Sequence, residues 1–202
     1  MMSCVKWQIA GAAELCGSGV SMYRNGGCRE FASLREMYDT LAEECRDVIC
    51  RKEKFVRIGE ITGAWMAVSM AALLDAGLEN CDFSGRGAAL LGVGDYGSHE
   101  GNLLYWDDYE NNGAVFGQGH YFVGTLASSA LCQLAIMVGS HAPVIYLTPG
   151  ENPDVVPEEL EYCSTLTEKI IILYRKNGNN CAALLKICDD GLTGAGILEE
   201  LL

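Results

Sequence analysis

The stretch from Gly63 to Leu74 is apolar almost all round, and it decides more about this chain than any other segment. A helix with no polar face must be buried between layers. Arg57 to Ala76 is expected to be that helix, ended by Gly77. Gly87 to Val93, Pro143 to Leu147 and Cys181 to Ile187 are short continuous apolar runs bounded by turn residues, the pattern of buried strands. A first strand is expected over Val5 to Ala12, with loop from Cys16 to Gly27.

Helical spacing places further helices over Arg29 to Arg51, His99 to Tyr109 (capped by Ser98), Leu126 to Val138, Glu158 to Lys176 and Thr193 to Leu201. Polar loop is expected over Asn111 to Gly119 and Thr148 to Pro157. Strands alternating with helices imply α/β, with a mostly parallel mixed sheet flanked by helices. No repeat or composition shift divides the 202 residues, so one domain spanning 1–202 is expected.

Charge narrows the partners. There are 14 basic and 27 acidic side chains, a net charge of −13. Such a field repels nucleic acid and anionic lipid. No run reaches the roughly 18 apolar residues that span a bilayer, and no secretory leader pattern opens the chain. A cytoplasmic protein is expected. Its ten cysteines include no Cys-x-x-Cys pair and no spaced His pair, which argues against zinc and for reduced thiols. No metal and no cofactor are expected.

Several motifs carry chemistry at first sight. Gly92-Val93-Gly94-Asp95-Tyr96-Gly97 has dinucleotide-site spacing, but Asp95 sets a carboxylate where a pyrophosphate would lie. No acid follows near 111–121 to bind a ribose. His99, His120 and His141 are expected to be structural. Asp107, Asp108 and Glu110 beside Trp106 read as a solvated acidic face. Ser128 and Ser129 read as helix-starting residues.

Several segments together resemble the β-ketoacyl synthases. Residues Arg57 to Thr62, continuing through Ala71-Ala72-Leu73-Leu74-Asp75-Ala76-Gly77-Leu78, are similar to the family helix that ends in A-L-x-D-A-G-L. Leu90 to Ser98 resembles the strand and turn G-V-x-x-G-T-x-x-G-S. Phe122 to Ile136 looks like the helix before the family's Gly-Pro strand, and His141 to Leu147 like that strand, with Ala142 in place of glycine. Ile170 to Ile187 resembles I-x-x-G-x-x-D-x-A-L, with Gly178 in register.

The resemblance implies a thiolase-like fold, of the N-terminal ketosynthase type. In that family the Gly-Pro strand leads to a nucleophilic cysteine, in T-A-C-A-S, at a helix N-terminus. Counting from Pro143 puts that position near Glu151; counting back from Gly178 puts it near Glu161. Neither is a thiol. Cys163 is the nearest cysteine, two residues out of register and among acids. The family's two catalytic histidines lie in H-G-T and N-x-x-F-G-x-x-G settings, and this sequence contains neither.

The chain is therefore expected to be a truncated, non-catalytic ketosynthase-like domain. It would act as a binding or partner subunit in fatty acid or polyketide-type biosynthesis. Its expected partners are a second copy or a ketosynthase-type chain, with acyl carrier protein as a further one. Two alternatives stand beside this reading. One is half of a working 3-oxoacyl-acyl-carrier-protein synthase, with Cys163 as nucleophile and the histidines supplied by a second chain. The other is an unrelated nucleotide-binding domain using Gly92 to Gly97.

Overall fold

The computed structural model describes residues 5–94, 98–112, 119–150, 152 and 154–201. In chain order the elements are β1 (Trp7–Cys16), β2 (Gly19–Met22), β3 (Cys28–Glu30), α1 (Leu34–Glu44), α2 (Phe55–Ala76) and β4 (Ala89–Val93). They continue with α3 (His99–Asn112), α4 (Gly119–Gly124), α5 (Ser129–Val138), β5 (Val144–Leu147), α6 (Val155–Ser164), β6 (Lys169–Lys176), β7 (Asn179–Ile187) and α7 (Gly194–Leu201).

One seven-stranded sheet runs in the order β3-β2-β1-β7-β6-β4-β5. β4 pairs in parallel with β5 and β6; the other four pairings are antiparallel. Following the directions across the sheet, β1, β3, β4, β5 and β6 run one way and β2 and β7 the other. The sheet is mixed and flanked by helices as expected, but not mostly parallel: β2 and β7 lie between strands of the opposite direction, so four of the six pairings are antiparallel. Both reversals are hairpins. The β6–β7 turn uses Asn177 and Gly178 at positive φ, and the β1–β2 turn uses Gly17 at φ 60°.

Four expected elements are corrected. Glu158 to Lys176 is not one helix: α6 ends at Ser164, and the β-branched run Ile170–Ile172 enters the sheet as β6, buried on both faces. Strand preference and burial outweigh the charged ends that read as helix termini. The loop expected over Cys16 to Gly27 contains β2 and leads into β3. The helix expected over Arg29 to Arg51 is confined to α1, whose N-terminus is fixed by Ser33 Oγ accepting from Glu36 N at 3.1 Å. The helix expected over Leu126 to Val138 starts at Ser129, behind the separate short α4.

Helices cover both sheet faces. On one side α1, α2 and α5 bury Leu41, Leu73, Leu131 and Met137 against Ala13, Leu90, Ile171 and Leu184. On the other, α6 and α7 bury Leu160, Cys163 and Ile197 against Leu91, Ile170, Ile172 and Leu185. The alternation Leu90/Leu91 and Ile171/Ile172 between the two clusters is the period-two signature of a sheet covered on both faces. α2 is long and apolar enough to cross a membrane by length and composition, and here it packs on the sheet.

Two details of β1 fix α2 on the sheet. Gly11 lies at a register shift between Ile9 and Gly11, where β1 meets the last turn of α2. A Cβ there would collide with Ala76 N and lie 2.6 Å from Ala72 O. Asp75 is 4% exposed. Its carboxylate accepts from Ala12 N at 3.0 Å, Arg24 N at 2.9 Å and Asn25 N at 3.0 Å. It ties the helix to β1 and to the β2–β3 turn.

All described cysteines are free thiols. Burial, the largest cause in each case, pushes Cys45 and Cys181 up to about 12 and Cys81 and Cys163 up to about 11, from 9.0. Tyr38 is pushed up to about 12, also by burial. Unfolding releases these protons at lower pH than the folded state does. Stability is therefore expected to hold below pH 9 and to fall as pH rises from 9 toward 12. Urea midpoints at successive pH values check this; a midpoint flat to pH 11 would contradict it.

Candidate functional site

A cavity of about 540 Å³ opens at the carboxyl ends of the co-directional strands β4, β5 and β6. Ligands of open α/β sheets sit outside these strand ends, and the volume lies within the roughly 300–1,000 Å³ of small-molecule sites. Its walls come from distant parts of the chain: Ile61 and Trp65 from α2, Val93 from β4, Leu126 and Leu131 around α5, and Leu173 from β6.

The polar groups gather at one side. Ser98, His99, Glu100 and Gly101 at the start of α3 line the cavity, with Arg175 from β6. Arg175 Nη2 donates to Glu100 Oε1 at 2.8 Å and Arg175 Nε to Asn180 Oδ1 at 3.3 Å. The guanidinium lies 6.0 Å from the Trp65 ring centroid. Ser98 Oγ donates to Thr125 O, and this joins the start of α3 to the end of α4. Gly101 is buried where a Cβ would strike Gly124 O, so the two helices meet through bare backbone.

The glycines that suggested a dinucleotide site have a packing explanation. A Cβ on Gly92 would lie 2.7 Å from Tyr146 Cδ2 and 2.8 Å from Leu131 Cδ1; one on Gly94 would lie 2.6 Å from the Tyr146 hydroxyl. Their missing side chains make room for the cavity wall. Asp95 and Gly97 lie outside the described residues.

The other sequence-derived positions are dispersed. His99 is exposed on the first turn of α3 and lines the cavity. His141 is exposed beside β5, and the side chain of His120 lies outside the described residues. Asp107 and Glu110 are solvated as expected, but Asp108 is buried and accepts from Asn112 Nδ2 at 2.8 Å. Trp106 stacks on Tyr109 with ring centroids 5.5 Å apart. Ser128 precedes α5 without a side-chain cap, and Ser129 lines the cavity. Among the described residues no three His, Cys, Asp or Glu side chains gather as metal ligands.

Arg175, Glu100 and Trp65 carry no sequence signal that marks this site. Nothing in spacing links three residues on three separate elements.

No family model and no curated protein matches the sequence. Solved structures do. The ishigamide ketosynthase/chain length factor superposes with a TM-score of 0.59 at 12% identity, over 92% of this chain and 59% of that one. The fold is thiolase-like. A ketosynthase in complex with its chain length factor from Xenorhabdus doucetiae superposes with a TM-score of 0.51 at 10% identity, over 92% of this chain and 80% of that one. The chain thus spans less than two thirds of the first of these neighbours.

In the family that the sequence resembles, the nucleophile follows the Gly-Pro strand, which places the position at the junction between β5 and the helix after it. Residues 148–154 read Thr-Pro-Gly-Glu-Asn-Pro-Asp, and α6 begins at Val155. The count from Pro143, which ended near Glu151, falls in this connection; Glu161 lies inside α6. No cysteine stands at the helix N-terminus, where the dipole would favour a thiolate. Cys163 occupies the opposite, C-terminal turn of α6, is 1% exposed, and faces Val156, Leu160 and the sheet. Burial and then Glu159 push its thiol up to about 11. It faces away from the cavity, whose lining does not include it.

Proposed function

We propose that the chain is a non-catalytic ketosynthase-like subunit of fatty acid or polyketide-type biosynthesis, working as the binding partner of a ketosynthase-type chain or of a second copy. One observation carries the reading: a thiolase-like scaffold whose β5–α6 junction holds no cysteine. The nearest thiol is buried at the wrong end of the helix, so it has neither the dipole nor the exposure a nucleophile needs.

The sheet edge supports a pairing role. β5 is the last strand of the sheet, with no further strand beyond it among the described residues. An uncovered edge strand is a template for another chain. Phe122 and Ile136, on the helices before β5, are each about half exposed. Both structural neighbours carry ketosynthase and chain length factor in their names, the second as a complex of the two.

Sedimentation equilibrium tests the pairing. The 21.8 kDa chain is expected to sediment as a species of at least twice that mass, alone or after mixing with a ketosynthase-type chain. A monomer at high concentration under both conditions would contradict it.

A further inference from the structure

The cavity at the strand ends lies within one chain and needs no partner to form, so its contents can be argued separately. We infer that it binds a molecule with an apolar body and a single carboxylate, which takes the place of Glu100 on Arg175.

The walls set the body of the ligand. Ile61, Trp65, Val93, Leu126, Leu131 and Leu173 offer apolar surface, and burying an apolar chain against them supplies the driving force. The rim sets the head. Arg175 is the one Lys or Arg among the described residues that line the cavity. Its present partner is weakly held: the side chains of Arg175 and Glu100 are 42% and 52% exposed, and such ion pairs contribute little. A ligand carboxylate can form the same guanidinium hydrogen bonds and brings its own apolar burial to the exchange. The amino end of the 14-residue helix α3 borders the same rim and favours an anion over a cation.

The charge balance limits the head group further. The chain carries −13, and one guanidinium faces the cavity. A phosphate or diphosphate would bring charge that Arg175 cannot offset in a repelling field. A monocarboxylate leaves the rim with the balance it has now, except that Glu100 turns to water.

Three probes of equal chain length test this: sodium decanoate, 1-decanol and decyltrimethylammonium. Each is titrated at pH 7 into the full chain carrying Trp106→Phe, with tryptophan emission as the readout. Trp65 lines the cavity, whereas Trp7 is buried elsewhere. Decanoate is expected to bind more tightly than decanol, because Arg175 keeps a charge-assisted hydrogen bond while Glu100 is released to water, and about tenfold or more tightly once Glu100→Gln removes that exchange. The ammonium is expected not to bind. Arg175→Met should bring decanoate to the level of decanol and leave decanol unchanged. Glu100→Gln should tighten decanoate several-fold, because the competing carboxylate is gone; a purely structural ion pair would show no gain. Trp65→Phe should erase the emission change. Equal binding of all three probes, binding of none, weaker decanoate binding in Glu100→Gln, or a response that survives Trp65→Phe would overturn the inference. None of these outcomes depends on whether a partner chain is found.

Discussion

Replacing Gly11 by alanine is expected to lower the stability of the protein by about 3 kcal/mol or more, a larger loss than overpacking usually causes. The obstacle is backbone. The new Cβ would meet Ala76 N and Ala72 O, which belong to the last turn of α2 and cannot rotate aside. Relief requires α2 to lift from β1, which loosens the packing of Leu73, Met70 and Ala72 over the sheet. In a chain of this size the thermal midpoint should drop by roughly 6–12 °C. Gly26→Ala is the matching control for an open position, since nothing lies within 4 Å of its Cβ site. It tests only the strain of a positive φ, expected to cost about 1 kcal/mol. Equal losses at the two sites would show that the β1–α2 approach is not as close as described.

Asp75→Ala is expected to cost about 3–5 kcal/mol, because it removes a buried carboxylate that accepts three charge-assisted hydrogen bonds. The side chain accepts from three backbone N–H groups on two separate segments. Its loss leaves those donors without a partner, and unsatisfied buried donors cost about 1–3 kcal/mol each. Asp75→Asn should fall between, because the amide oxygen can still accept while the NH2 group faces a donor. Asp107→Ala, at an exposed position on α3, should stay within about 0.5 kcal/mol of the parent. Urea unfolding of the three variants gives the comparison. A loss under about 1 kcal/mol for Asp75→Ala would mean that the carboxylate does not hold β1 and the β2–β3 turn to α2.

How much of this was legible in the sequence depends on the range of the interaction. α2 was readable because a helix without a polar face has one solution, burial, and because Gly77 marks its end at φ 83°. β4, β5 and β7 were readable as short apolar runs. β6 was not. Lys169 to Lys176 follows α6 without a glycine or proline, and its charged ends imitate helix termini. Only pairing with β4 and β7 on both sides explains why Ile170–Ile172 is extended.

Asp75 gave a signal that was read only as part of a family motif. It is the one charged residue between Ile61 and Ala76, and an acid in an apolar helix must find donors. The cavity had no local signal. Trp65, Glu100 and Arg175 are brought together by the sheet order, and in sequence Arg175 looked like an ordinary cation at a helix end. Cys163 falls inside the helix expected over Glu158 to Lys176, but its position at the far end of α6 needs the boundary at Ser164.

We propose that this thiolase-like scaffold has no nucleophilic thiol at its β5–α6 junction. Incubation of the full chain with an acyl-coenzyme A thioester, followed by intact-mass measurement and peptide mapping, tests it most directly. The expected result is no acyl group on Cys163, whose thiol is 1% exposed and pushed up to about 11. A stable acyl adduct on Cys163, lost in Cys163→Ala while the fold is retained, would contradict the account and make the chain half of a working condensing enzyme.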